Sequence, residues 1–187
     1  MKSRVFFVHG GGSGAYKEDR KLATSLQAAL GTNYKVLHPR MPKESAPEYK
    51  LWKAVISRRL AKLSAEPLLV GHSVGGAMLL KYLLDAKPAT GVAARFLLAA
   101  PYIGAGEKWR DDTLQVDFAK PSHLPRTFLF HCQDDKIVPV EHVSLYARKL
   151  PDAVTRTFRV GGHQFRSKMS EIAASIKEAK CEIDTTQ

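Results

Sequence analysis

The stretch Pro67-Leu68-Leu69-Val70-Gly71-His72-Ser73-Val74-Gly75 decides the fold of this 187-residue chain. Its first four residues predict a buried strand, and the segment Ala77 to Leu84 just beyond it has helical spacing. Between them lies the pattern Gly-x-Ser-x-Gly, which holds a serine on a sharp turn from a strand to a helix. Glycines flank the serine because side chains at Gly71 and Gly75 would collide with the adjoining backbone. Ser73 is therefore a candidate nucleophile.

The rest of the chain repeats this alternation of short apolar segments with longer segments of helical period. Such alternation is typical of a parallel sheet covered by helices on both faces. We therefore predict an α/β fold with a mainly parallel six-stranded sheet, in a single domain over residues 1–187. The predicted strands are Val5–Val8, Tyr34–Leu37, Pro67–Val70, Phe96–Ala100, Thr127–Phe130 and Thr155–Val160.

Apolar residues recur at helical spacing after the first, second and last of these strands. Ser45 and Glu48 match a capping box, which predicts Ser45 as the N-cap of the second helix. Pro139 is predicted to open a later helix. Residues 101–125 form the one long segment without a clear element, and a loop of this length in a compact domain is more often functional than accidental.

Composition and charge exclude several classes of protein. The net charge is +11, but the basic residues are dispersed and never form a run of five, which favours a solvated surface over nucleic-acid binding. No apolar run approaches the ~18 residues of a membrane helix, and the one at the N-terminus is too short for a signal peptide. Two cysteines, Cys132 and Cys181, give neither a disulfide framework nor a zinc site. We expect a cytoplasmic protein with no nucleic-acid, membrane or metal partner.

A serine hydroxyl needs a base and an acid that orients the base, and the chain supplies both at the ends of predicted strands. Asp134 and Asp135 follow the fifth predicted strand. His163 follows the sixth, with two glycines before it and Gln164 after it. The order serine, acid, histidine is that of α/β-hydrolase enzymes. A glycine-flanked imidazole on a loop is free to turn toward the serine, and a neighbouring carboxylate can fix its tautomer.

Such chemistry also requires backbone N–H groups that stabilise the negative charge on the attacked carbonyl oxygen. One predicted donor is the N–H of Val74, the residue after the candidate nucleophile. The second is expected in the glycine-rich loop after the first strand, His9-Gly10-Gly11-Gly12, with Gly11 as first choice and Gly12 next.

With these residues in place, the chain resembles the α/β-hydrolase superfamily from its first strand to its last helix. It is similar to the small lidless serine hydrolases of the retinoblastoma-binding protein nine family. The motifs that carry this similarity are Gly71-His72-Ser73, Arg40-Met41-Pro42, Asp134-Asp135-Lys136-Ile137-Val138-Pro139 and Gly162-His163-Gln164-Phe165. The resemblance implies a minimal hydrolase sheet and selects Asp135, the second of the adjacent aspartates, as the triad acid. The loop His9-Gly10-Gly11-Gly12 departs from the Pro-Gly-Asn-Gly of closer members, and without a Leu-x-Cys-x-Glu motif no retinoblastoma-type partner is expected.

Other side chains near these motifs have plainer interpretations. Tyr102 and Trp109 lie in the long loop and are candidates for lining an acyl pocket. A lone buried cysteine is usually a small hydrophobe rather than a second nucleophile. Four residues are accordingly interpreted as structural: His9, His72, Trp52 and Cys132.

The sequence thus predicts a serine hydrolase of the carboxylesterase kind, acting on a small acyl ester, thioester or amide without metal or cofactor. Two alternatives remain open. Gly10-Gly11-Gly12-Ser13-Gly14-Ala15 formally matches the Gly-x-Gly-x-x-Ala loop of dinucleotide-binding proteins, although Leu37 is followed by His38 rather than by the acidic residue that would hold a ribose. A non-catalytic binding protein on a hydrolase scaffold is the other, since a fold alone does not establish activity.

Overall fold

The computed structural model describes residues 2–63, 66–85, 91–106, 111, 113–116, 118 and 125–186. Within this part of the chain, strands and helices alternate almost throughout. The elements in chain order are β1 (Ser3–Val8), α1 (Ala15–Leu30), β2 (Tyr34–Leu37), α2 (Tyr49–Leu60), β3 (Leu68–His72), α3 (Val74–Asp85), β4 (Ala94–Leu98), β5 (Arg126–Cys132), α4 (Glu141–Lys149), β6 (Val154–Phe158) and α5 (Met169–Thr186).

The strands form one six-stranded sheet in the order β2-β1-β3-β4-β5-β6. All five pairings are parallel, which confirms the predicted α/β architecture. In the centre of the sheet Val70 lies opposite Phe96, and Phe96 lies opposite Phe128. These strands have neighbours on both edges and helices on both faces, so nearly every side chain is buried and the strands read as continuous apolar runs.

Successive residues of β1 show how the two faces are filled. Val5 and Phe7 pack in a cluster with side chains of α1 and α5. Phe6 and Val8 point to the opposite face and pack with α2 and α3, where Trp52 is fully buried as a core residue. This alternation follows from the two-residue period of a strand. Within the described residues, no helix is long and apolar enough to cross a lipid bilayer.

Four of the six strands end at a residue other than the one predicted. β3 ends at His72 rather than Val70, and β5 ends at Cys132 rather than Phe130. β4 begins at Ala94 rather than Phe96, and it ends at Leu98 rather than Ala100 because Ala99 adopts a left-handed backbone with φ of 47°. The N–H of Ala99 still donates to the carbonyl of Phe130, at 2.9 Å, so the chain leaves the sheet without losing that bond. β6 ends at Phe158 rather than at the predicted Val160.

The predicted capping box at Ser45 is wrong. α2 begins at Tyr49 with Glu48 as its N-cap, in an extended conformation and without a side-chain cap bond. A proline disfavours the helical conformation in the residue before it, so Pro47 opposes a helix that would begin at Ser45 and include Ala46. The Pro47 ring also packs on Gly11, where an added Cβ would lie 2.6 Å from Pro47 Cγ.

The sheet order creates a crevice beside the serine. The chain leaves β1 for β2 on one side, whereas β3 lies on the other side of β1 and leads to β4. Loops after neighbouring strands diverge at such a reversal, and α/β proteins bind ligands there, at the carboxyl edge. The glycine-rich loop after β1 and the turn after β3 therefore face each other at the edge where α/β proteins bind ligands.

Candidate active site

Ser73 occupies the turn between β3 and α3, in a left-handed backbone conformation with φ of 50°. Its N–H donates to the carbonyl of Leu98, at 2.8 Å, and its own carbonyl accepts the N–H of Gly76, at 2.9 Å. Such a conformation is costly for a residue with a side chain and persists only where the surroundings impose it. The turn thus holds the serine in one orientation at the carboxyl edge of the sheet, with only 8% of its surface exposed.

The glycines around Ser73 are required by close backbone packing. A Cβ on Gly71 would lie 2.6 Å from the Cα of Gly76, and one on Gly75 would lie 2.3 Å from the carbonyl oxygen of His9. Real Cβ atoms do not approach backbone this closely, which is the steric reason predicted from the sequence. The close approach of Gly75 to the main chain of His9 brings α3 against the end of β1, where the glycine-rich loop begins.

Asp135 and His163 meet at the same edge of the sheet. The Nδ1 of His163 donates to Oδ2 of Asp135 at 2.8 Å, and Oδ1 accepts the N–H groups of Ile137 and Val138 at 2.8 and 3.0 Å. The Nε2 of His131 lies 3.4 Å from Oδ2. Burial alone would raise the pKa of Asp135, but the hydrogen bonds from His131 and His163 outweigh it and hold that pKa well below its usual range. The carboxylate is thus ionised, and Nε2 of His163 is left as the basic nitrogen.

Asp134 has a different set of contacts from Asp135. Its carboxylate accepts the N–H groups of Gly161 and Gly162, at 3.2 and 2.7 Å. Hydrogen bonding from Gly162, with a further bond from Gly161, lowers the pKa of Asp134. Asp134 therefore fixes the glycine loop that leads to His163, whereas Asp135 contacts the imidazole itself.

The first three glycines of the glycine-rich loop differ in whether their N–H groups are already hydrogen-bonded. The N–H of Gly10 donates to Oδ2 of Asp19 at 2.7 Å, and that of Gly12 donates to the carbonyl of Glu44 at 2.6 Å. Within the described part of the chain, the N–H of Gly11 has no acceptor. A Cβ on Gly11 would lie 3.5 Å from Cβ of Val74, so the two predicted donors are close neighbours. Val74 is the first residue of α3, where helical N–H groups have no partner in their own helix.

His9 and His72 are both bound on two sides. The Nε2 of His9 accepts the N–H of Met41 at 2.9 Å, and its Nδ1 donates to the carbonyl of Gly10 at 2.7 Å, so the ring braces the glycine-rich loop. Burial lowers the pKa of His9. His72 contacts Asp19 and the main-chain carbonyl of His163. Sequence reasoning missed Asp19, whose signal is a lone carboxylate on the buried stripe of α1.

Ser73 and His163 are brought to one edge of the sheet without a direct bond. Among the described residues, no hydrogen bond joins the hydroxyl of Ser73 to the imidazole of His163. The rings of His72 and His163 lie 4.7 Å apart, so the residue before the serine is in contact range of the histidine. Hydrogen bonds of this kind are often long in unliganded enzymes and shorten when substrate binds.

Of the two predicted acyl-pocket residues, the structure describes only Tyr102, which packs away from the serine turn among other aromatic rings. Tyr102 stacks on Phe118 with ring centroids 6.1 Å apart and packs edge-on against Tyr146 at 5.0 Å, in the cluster beneath α4. No described contact joins Tyr102 to Ser73. The other predicted residue, Trp109, lies outside the residues that the structure describes.

A cavity of about 660 Å³ lies between α1 and the segment after His163, and it includes Gln164 and Phe165. A groove of about 540 Å³ begins at Ser13 beside the glycine-rich loop. Neither is lined by Ser73, so we locate the candidate site from its reactive groups rather than from cavity size. Within the described ranges, no cluster of His, Cys, Asp and Glu side chains is arranged to hold a metal ion.

Comparison with known proteins agrees with the fold. The model of the Alpha/beta hydrolase family matches residues 5–175. The structure of the ydeN gene product from B. subtilis has a TM-score of 0.69 and 21% identity, covering 95% of this chain and 100% of that one. A meta-cleavage product hydrolase from Pseudomonas fluorescens IP01 has a TM-score of 0.71 and 16% identity, covering 96% and 91%. The esterase domain of a Rhodothermus marinus protein has a TM-score of 0.69 and 19% identity, covering 94% and 85%. No curated protein matches the sequence.

Proposed function

We propose that this chain, which belongs to the alpha/beta hydrolase family, is a serine hydrolase that cleaves an acyl ester or thioester, or an amide. The observation that carries the proposal is the 2.8 Å bond between His163 Nδ1 and Asp135 Oδ2, at the edge where Ser73 is held on its strained turn. A charged carboxylate fixes the imidazole tautomer so that Nε2 can accept a proton.

The proposed reaction begins when the hydroxyl oxygen of Ser73 attacks the acyl carbonyl. His163 Nε2 takes the hydroxyl proton, and Asp135 stabilises the imidazolium that forms. The carbonyl oxygen becomes negatively charged, and the N–H groups of Val74 and Gly11 donate to it. His163 then gives its proton to the leaving alkoxide, thiolate or amine, which departs and leaves Ser73 acylated.

Water completes the cycle by the same route in reverse. His163 accepts a proton from the water, the hydroxide attacks the acyl carbon, and the proton returns to the oxygen of Ser73 as the carboxylic acid leaves. Every proton transfer is carried by side chains of this chain. The proposed reaction is therefore hydrolysis without a metal or cofactor.

Gly12 is the weaker of the two glycines proposed from the sequence as an oxyanion donor. Its N–H already donates to Glu44, so a substrate would have to break that bond. The N–H of Gly11 has no such competitor in the described part of the chain. We therefore keep Gly11 with Val74 as the proposed pair.

The glycine loop fits a dinucleotide less well. The carboxylate of Asp19 lies 2.7 Å from the N–H of Gly10, at the start of the loop where a pyrophosphate would bind. The N–H of Gly10 is therefore already bonded to Asp19 and is not free to bind a phosphate oxygen. The N–H of Gly11, which has no acceptor in the described part of the chain, suits the single carbonyl oxygen of an ester, so the loop favours the acyl substrate.

Within the family, we propose that the chain is similar to the small carboxylesterase-like hydrolases of the retinoblastoma-binding protein nine kind. The Asp134-Asp135 pair supports this proposal, because the second aspartate is the one that contacts the imidazole. The substrate itself is proposed only as a small acyl compound, and p-nitrophenyl esters of increasing chain length would rank acyl preference.

A fluorophosphonate probe tests the proposed function directly, because it reacts covalently with an activated serine. We expect the folded protein to be labelled and the Ser73→Ala variant not to be labelled. Ser25→Ala, which removes a hydroxyl on α1 outside the proposed triad, is the matched control and should label like the wild type. Absence of labelling in the folded wild type, or equal labelling of Ser73→Ala, would refute the enzyme and favour a binding protein.

A further inference from the structure

A second buried carboxylate–histidine pair, Asp19 and His72, lies beside the proposed triad. The Oδ2 of Asp19 is 2.7 Å from Nδ1 of His72, and each residue is only 1% exposed. The proposed reaction gives neither residue a role. Burying two ionisable groups is unfavourable unless they are paired and hydrogen-bonded, so their contacts indicate what the pair does.

The contacts of the pair fix its charge state. The Nε2 of His72 lies 2.9 Å from the carbonyl oxygen of His163, and a carbonyl can only accept, so Nε2 carries a proton. The carboxylate of Asp19 accepts the N–H of Gly10 and the side-chain amide of Gln164, and these two bonds favour its ionised form, to which the Nδ1 of His72 donates. With both ring nitrogens protonated, His72 is an imidazolium whose counter-ion is Asp19.

Electrostatics agree with this assignment. Burial lowers the pKa of His72, but the charge and hydrogen bond of Asp19 from α1 outweigh it, and the net pKa is raised. The other groups that face the ring are the carbonyl and imidazole of His163, after β6, and the more distant carboxylate of Asp135, after β5. Burial raises the pKa of Asp19, but the interactions with His72 and with the N–H of Gly10 outweigh burial, so the net pKa of Asp19 is lowered.

We propose that His72 is a positioning residue: held by Asp19, it fixes the main chain of His163 relative to Ser73. The inference rests on the proposed function, because it takes Ser73 as nucleophile and His163 as base. His72 is the chain neighbour of Ser73, so its bond to the carbonyl of His163 ties the serine turn to the histidine loop directly. A hydrogen bond donated by a charged ring is shorter and stronger than a neutral one.

Asp19 extends the same network to the third element of the site. Its Oδ2 accepts the N–H of Gly10, next to the proposed oxyanion donor Gly11. The buried pair therefore links the glycine-rich loop, the serine turn and the histidine loop, which come from different parts of the chain. A displacement of reacting groups by about 1 Å costs on the order of 100-fold in rate, so such a link has a measurable effect on kcat.

Two conservative variants separate positioning from general structural support. In His72→Gln the amide nitrogen reaches the place of Nε2 and keeps a donor for the His163 carbonyl. In His72→Asn the amide takes the place of Nδ1 and keeps only the contact with Asp19. With a p-nitrophenyl ester, we expect kcat to fall by no more than about 10-fold in His72→Gln and by about 100-fold in His72→Asn, with KM nearly unchanged in both.

The control is Glu18→Gln, which removes a carboxylate from the exposed residue next to Asp19 and should leave kcat unchanged. Circular dichroism and the Tm of each variant establish that it is folded. If His72→Asn is as active as His72→Gln, or both match the wild type, the positioning role is refuted.

Ring protonation provides a test that does not depend on turnover. The ¹⁵N NMR spectrum of the wild type at about pH 8, above the usual histidine pKa of about 6.5, should show two protonated nitrogens on His72. Asp19→Asn should lose one of these protons. A neutral His72 ring in the folded wild type overturns this inference and leaves the proposed hydrolase standing. If the fluorophosphonate probe does not label the folded wild type, the proposed hydrolase activity is refuted. The NMR spectrum then still decides whether His72 and Asp19 form a charged pair.

Discussion

Asp135 Oδ2 lies 2.8 Å from His163 Nδ1, and this contact distinguishes Asp135 from the adjacent Asp134, which accepts main-chain N–H groups of the same loop. Two neighbouring carboxylates thus serve one histidine in different ways. One orients its imidazole, and the other holds the two glycines that precede it. The difference is open to test because the same substitution can be made at both positions.

We expect Asp135→Asn to lower kcat by about 10⁴-fold, because an amide favours the wrong imidazole tautomer. Asp134→Asn keeps an acceptor oxygen for one of the glycine N–H groups, so we expect a loss of about 10-fold or less, on the scale of one weakened hydrogen bond. Steady-state kinetics on an ester that the wild type cleaves would measure both. Equal losses in two folded variants would contradict the assignment of Asp135.

Ser73→Ala and His163→Ala should each lower kcat by about 10⁴- to 10⁶-fold, as is typical when a triad member is removed. The double variant should be no slower than either single variant, because the two groups act in one step. Pre-steady-state and steady-state rates on the same ester would show this. Strictly additive losses would indicate that the two residues do not act together.

Acidification should reveal the contribution of Asp135 to stability. Its pKa is lowered in the folded protein, so its stabilising contribution is complete above the unfolded value of about 3.9 and is lost as the pH falls through the lower folded value. The difference in free energy of unfolding between the wild type and Asp135→Asn should therefore narrow below about pH 4. Urea unfolding of both proteins across this range measures it. If the difference in free energy of unfolding between the two proteins widens below about pH 4, the prediction is wrong.

Gly75→Ala should destabilise the fold strongly, since its Cβ would lie 2.3 Å from the His9 carbonyl oxygen and 2.5 Å from that of Val8. Both clashes are with backbone of β1, which cannot rotate away as a side chain does. We expect a loss of about 3 kcal/mol or more in free energy of unfolding, at the upper end for overpacked sites. Gly14→Ala is the control: its Cβ meets nothing within 4 Å, and only its left-handed backbone, at φ of 81° and ψ of 2°, is strained. That substitution should cost about 1 kcal/mol.

The two cysteines should differ in reactivity. Cys132 is fully buried, and burial raises its pKa to about 12, so it holds its proton at neutral pH. Cys181 is exposed on α5. A thiol reagent at about pH 8 should therefore modify one thiol in the folded protein and two after denaturation, since only the exposed thiol is accessible. Rapid modification of Cys132 in the native state would reopen its interpretation as a core residue.

Local patterns allowed much of the fold to be predicted from the sequence. Continuous apolar runs located the strands, because a buried parallel strand presents apolar side chains to both faces. The end of β4 was misjudged because Ala99 turns into a left-handed conformation that its side chain does not reveal. The start of α2 was misjudged because Ser45 matches a capping pattern whose helix is delayed by Pro47.

The site followed the same division. The strained turn at Ser73 and the need for glycines beside it could be predicted from the sequence, because the steric demand of the turn acts on residues close along the chain. The sequence could not show why Gly11 is a better donor than Gly12. That difference depends on the hydrogen bond from the N–H of Gly12 to the carbonyl of Glu44, which is distant in sequence. Asp19 was overlooked because its partner His72 lies 53 residues away in sequence.

The sequence by itself determined the parallel sheet, the strained serine turn and the strand ends at which the acid and the histidine lie. Backbone sterics and burial impose these features locally, so spacing and residue type record them. Only the tertiary structure decided that Asp135 reaches the imidazole, and that His72 joins Asp19 to a carbonyl 91 residues away in sequence. Those contacts depend on how the loops after separate strands pack at one edge of the sheet, and no local pattern specifies that packing.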